Sequence, residues 1–112
     1  MAKNKLSFTA DPTFKCTIGI PKPGESATTP VDFTAKFRPK DEFDDWQKSL
    51  DIPTTGVTVG IMRDMFTGWA LDVPFDDDHI EKMFQIYPGS GVACYLTYCR
   101  EHWDAKLGAS AK

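Results

Sequence analysis

Three sets of side chains in this 112-residue chain have the right types for chemistry. Asp76, Asp77 and Asp78 are consecutive carboxylates. A calcium loop needs oxygen ligands at alternating positions around a glycine turn, closed by a distant glutamate. Consecutive acids leading into an apolar-periodic stretch match a helix start instead, with Asp76 as the cap and the next two at the positive end of the dipole. Cys94, Cys99 and His102 suggest zinc at first sight. Cys99 and His102 share one side of a helix, but Cys94 lies about 140° away around a 3.6-residue turn. No fourth ligand has a matching spacing, so small core thiols are the better account. Cys16 with His79 or His102 would make a nucleophile and base. No strained elbow and no oxyanion glycine pattern marks such a nucleophile. The loop from Pro23 to Thr29 lacks the Gly-Lys-Ser/Thr of a phosphate cradle. The reading is therefore non-enzymatic, with no catalytic, cofactor-binding or metal-binding residue and no cofactor.

The elements that would position these groups fit in one domain, residues 1–112, with a thin core for its size. Hydrophobic residues make up 41% and charged residues 26%, ordinary values for a globular chain, and eight Phe, three Tyr and three Trp supply much of the core volume. The net charge of −3 is unevenly placed. Residues 1–50 carry eight Lys/Arg against seven Asp/Glu, and residues 51–112 carry five against nine. Neither half is a basic stripe, which argues against a nucleic-acid partner. No apolar run approaches the ~20 residues of a membrane span, and the charged start has no apolar run behind it, so no signal peptide and no membrane partner are expected. Three cysteines, an odd count with two in one predicted helix, read as reduced thiols in a cytoplasmic compartment.

Residues 1–12 read as an N-terminal arm. Period two then appears at Phe14, Cys16, Ile18 and Ile20 and returns at Val31, Phe33, Ala35 and Phe37. Two such strands around the Pro21–Ser26 loop predict an antiparallel β-hairpin over 13–38, each strand with one dry face. The helical part spans 40–107. A first helix carries Phe43, Trp46 and Leu50 at helical spacing. Asp51-Ile52-Pro53 breaks it, and a second helix is expected from about Thr55 to Phe66, with a strand over Gly56–Ile61 as the alternative. In the third, Phe75 and Ile80 bracket the Asp76 cap as a hydrophobic staple, and Ile80, Met83, Phe84 and Tyr87 form the stripe. Pro88-Gly89 stops it. Ser90 is placed to cap a last helix whose stripe is Val92, Tyr95, Leu96, Cys99 and Trp103. Residues 108–112 read as a frayed tail. The fold class is α+β, a hairpin sheet followed by three to four packed helices.

Aromatic anchors dominate binding surfaces. Phe43, Trp46 and Trp103 are the partner-binding candidates, although core packing is the first reading of each tryptophan. Trp46, on a short charged helix, is expected to be the most exposed of the three tryptophans, and Trp69 and Trp103 are expected to face the core.

The order of punctuation along the chain is the most specific signal. Gly68-Trp69, Pro74-Phe75-Asp76 and Tyr87-Pro88-Gly89 follow one another, with Tyr95 and Tyr98 on the last helix. This order resembles the tail assembly chaperones of long-tailed bacteriophages, and the likeness extends over about residues 13–104. The resemblance implies a protein that reversibly binds the tape measure protein and supports assembly of tail tube protein around it, in the cytoplasm of the infected bacterial host. It implies neither cofactor nor catalysis, and self-association is compatible with it. The alternative is a minor tail or head–tail completion component retained in the virion.

Overall fold

The computed structural model describes residues 12–106, so all but the last residue of the arm at 1–12 and the whole tail at 108–112 lie outside the described residues. Among the described residues the architecture is α+β: a three-stranded antiparallel sheet with five helices. Strands β1 (Thr13–Ile20) and β2 (Thr29–Lys36) pair with Cys16 opposite Phe33 and Ile18 opposite Val31. This register puts Cys16, Ile18, Ile20, Phe33 and Ala35 on one dry face and Lys15, Thr17, Asp32 and Thr34 on the other, as strict alternation requires. On the outer face Thr17 Oγ1 donates to Asp32 Oδ1 at 2.6 Å. The connection turns at Lys22–Glu25, where the Glu25 N–H reaches the Lys22 carbonyl at 3.1 Å. Pro23 and Gly24, with Gly24 at φ +84°, supply the proline-then-left-handed pair of a type II turn.

The sheet has a third strand that strand periodicity did not predict. β3 (Phe66–Trp69) pairs antiparallel with β2, with Trp69 opposite Phe33, Gly68 opposite Thr34 and Phe66 opposite Ala35. Thr67 is left over as a bulge. Residues three apart on a regular strand face opposite sides, but the extra residue lets both Phe66 and Trp69 turn to the dry face. There they meet Phe33 at 4.7 and 6.0 Å between ring centres.

Helix α1 (Lys40–Lys48) starts directly after Pro39 and carries Asp41 and Glu42 in its first turn. The helix expected over Thr55–Phe66 forms only over Val59–Met65, the alternative strand over Gly56–Ile61 does not form, and a separate short helix comes before it. α1 does end before Asp51-Ile52-Pro53, and α2 (Ile52–Thr55) then carries Pro53 in its first turn, where a missing N–H costs nothing, so the same proline also opens a helix. Gly56 then adopts φ +69° and ends it. Thr58 restarts the helix, its side chain accepting the Ile61 N–H at 3.2 Å, and α3 (Val59–Met65) follows.

Asp76 caps α4 (Asp77–Ile86), its carboxylate accepting the His79 N–H at 2.9 Å. Tyr87, forced out of the helical region by Pro88, ends it at ψ +81°. α5 (Ser90–Lys106) begins when the Gly89 carbonyl takes the Ala93 N–H at 3.1 Å. Ser90 is therefore already inside the helix and does not cap it. Its hydroxyl is fully buried with no partner among the described residues. α5 crosses the dry face of the sheet along β1 and touches α1, α3 and α4.

Candidate binding surface

The residues first considered for chemistry are structural in their placement. Cys16, Cys94 and Cys99 are all buried free thiols. Burial, with a smaller push from Glu101, raises Cys16 to about 11. Burial raises Cys94 to about 12 and also raises Cys99. Thiols held up in this way stay protonated at neutral pH and are poor nucleophiles. Asp76 binds both the backbone N–H and the Nδ1 of His79, the latter at 2.7 Å, and Asp77 lies 3.5 Å from Arg63. The two hydrogen bonds from His79, with a smaller pull from the Arg63 charge, hold the Asp76 carboxyl below the usual range. Among the described residues no group of three or more His, Cys, Asp or Glu could hold a metal ion.

The three aromatic candidates separate. Phe43 is fully buried, so it is a core residue and presents no surface to a partner. Trp46 is half-buried. Trp103, expected to be core, keeps 42% of its surface exposed. The inward face of the last helix is rotated from the one its apolar periodicity suggested: of the expected stripe Cys99 is buried and Tyr95 half-buried, but Val92 and Leu96 are exposed, and Cys94, Thr97, Tyr98 and His102 are buried instead. A helix apolar on both sides gives periodicity no way to orient it.

The motif residues brace one corner. Trp69 Nε1 donates to the Val73 carbonyl at 2.8 Å, and its ring meets Phe75 edge-on at 5.0 Å. Gly68 precedes it in β3, and Pro74 lies between those two contacts. Tyr87, half-buried beside exposed Pro88 and Gly89, makes the elbow between α4 and α5.

A polar cluster around Tyr98 was invisible in the sequence because the hydrogen bonds that join its elements span from 18 to 64 residues. The Tyr98 hydroxyl donates to the Lys36 carbonyl at 2.6 Å and accepts from Arg38 Nη1 at 2.9 Å. The same nitrogen reaches the Asp64 carbonyl at 2.7 Å, and the guanidinium sits 4.7 Å from the centre of the Trp46 ring. Trp46 Nε1 donates to Asp64 Oδ2 at 3.2 Å. His102 completes the cluster, stacked on Phe43 at 4.6 Å with 4° between planes. Its Nε2 accepts the Arg38 backbone N–H at 3.3 Å, so its Nδ1 carries the proton it shares with the Tyr98 carbonyl at 3.0 Å. The only sequence signal was an arginine placed just where β2 gives way to α1.

That arrangement uses neutral imidazole. Burial lowers the His102 pKa, and Arg38 adds to this, while the Tyr98 carbonyl and Glu101 pull the other way. The folded value lies below the unfolded one, so the unfolded chain takes up the proton first as pH falls. The contribution is intact above about pH 6.5 and is lost below it, at up to about 1.4 kcal/mol per pH unit. Urea midpoints are expected to fall between pH 7.5 and 5.5 and to fall less in His102→Gln. Equal slopes in the two proteins would show that His102 is not responsible. Loss through Asp76 comes separately, at carboxylate pH, because its pKa is lowered.

The three thiols are buried, and the last helix exposes apolar side chains that can make contacts. A family model described as phage tail assembly chaperone matches residues 1–109, and the chain belongs to that family. It is a non-enzymatic protein of phage tail assembly. Comparison with curated proteins found no match, and neither did comparison with solved structures. No helix among the described residues is long and apolar enough to cross a membrane.

Proposed function

We propose that this chain binds the tape measure protein reversibly, keeps it soluble and supports assembly of tail tube protein around it in the cytoplasm of the infected host. Membership of the tail assembly chaperone family over residues 1–109 carries this reading. Its chemistry is apolar contact, the way a groove or patch accepts an amphipathic helix. The exposed aromatic and aliphatic side chains of α5 support it, because a chain that only had to fold would not need them. Co-expression with the tape measure protein at low salt is expected to give a complex that co-purifies. No complex would overturn the reading. Mass spectrometry of purified virions distinguishes it from a retained tail or head–tail component: a chaperone is absent from the particle.

A further inference from the structure

The solvent face of α5 is built unlike that of α1. The exposed positions of α1 are Lys40, Asp41, Glu42, Asp45 and Lys48, all charged. Those described on α5 after its first turn begins are Val92, Leu96, Arg100, Glu101 and Trp103. Val92, Leu96 and Trp103 keep 50%, 55% and 42% of their surface in solvent. At 100° per residue the three fall within about 40° of one line, roughly 16 Å long. Single exposed apolar side chains are ordinary, but three in a line on one helix make a patch. Folding does not call for it, since Cys94, Tyr98 and His102 on the other side already bury the helix against the sheet and α1.

We propose that this stripe seats one amphipathic helix of the tape measure protein, an inference that rests on the client reading above. The steps Val92 to Leu96 and Leu96 to Trp103 are four and seven residues, the spacing of a helix–helix seam. Such a line matches apolar residues recurring along another helix and not the period of two in a strand. A second copy of this chain fits poorly on two grounds. Covering these three side chains removes on the order of 300 Å² from water on this side, well short of the roughly 800 Å² per partner of a stable complex. Arg100 flanks the stripe, whereas Glu101 points more than a quarter-turn away from it, so among the described residues a second stripe would offer Arg100 no carboxylate. The occupant is therefore a client helix with an acidic residue beside its apolar line, held weakly enough to be released.

The test uses the full chain co-expressed with the tape measure protein. A photoreactive phenylalanine analogue in place of Leu96 is expected to crosslink to the tape measure protein, and one in place of Asp45 is not. Leu96→Arg is expected to reduce the co-purified tape measure protein about tenfold, Trp103→Ala to reduce it similarly, and Asp45→Arg to leave it unchanged. Thermal unfolding of Leu96→Arg should match that of the unaltered chain, because the side chain is exposed. Crosslinking to a second copy, or full retention by Leu96→Arg, would overturn the stripe while leaving the client reading intact. If the unaltered chain retains nothing, the client reading fails and the stripe's occupant falls with it.

Discussion

Phe43→Ala is expected to destabilise the fold by about 3–5 kcal/mol, seen as a large fall in the urea midpoint. The ring has no exposed surface and is stacked flat on His102 at 4.6 Å, with Trp46 at 5.9 Å and Tyr98 at 6.2 Å. Truncation removes its burial and opens a cavity between α1 and α5 that rings held by hydrogen bonds cannot collapse to fill. Trp46 is held by Asp64, Tyr98 by Lys36 and Arg38, and His102 by Arg38 and Tyr98. A domain this size has only about 5–15 kcal/mol in total, so the variant would be close to unfolding. Trp103→Ala, by contrast, should lie within about 0.5 kcal/mol, as for most exposed positions. The pair separates two residues that sequence reasoning placed together as partner-binding candidates. A urea midpoint for Phe43→Ala close to that of the unaltered chain would refute the packing described.

What could be read in advance follows from how local each signal is. β1 and β2 were legible because each has one dry face, which leaves a period of two in the side chains. α4 was legible because its cap, its acidic first turn and its Pro-Gly stop are all encoded within a dozen residues. β3 was not, since four residues with a bulge carry no period, and the strand exists only because β2 offers it a free edge. The split between α2 and α3 turned on the left-handed backbone of Gly56 and the Thr58 cap, a glycine and a β-branched residue that only weakened the expectation of a helix there. The orientation of α5 was illegible for a different reason. Val92, Leu96 and Trp103 are as apolar as Cys94 and Tyr98, so burial had to be decided by tertiary contact. The same ambiguity hid the exposed stripe among residues that looked like core.

Arg38→Ala is expected to destabilise by about 2–3 kcal/mol, more than a half-exposed arginine usually contributes. One nitrogen serves both the Asp64 carbonyl and the Tyr98 hydroxyl, and the guanidinium carbon lies over the Trp46 ring. Alanine withdraws all of these together while keeping the backbone N–H that His102 accepts. Tyr98→Phe isolates one part. It deletes the hydroxyl, leaving the Lys36 carbonyl without that donor and Arg38 without that acceptor. If the two residues act as one unit, the double variant should lose about 1 kcal/mol less than the two single losses added together. Simple additivity in urea titrations at pH 7.5 would mean that Arg38 acts through Trp46 and Asp64 alone. The stakes of the cluster reach the proposed binding surface, because Tyr98 and His102 fix the inner face of α5 and so determine that Val92, Leu96 and Trp103 point outward.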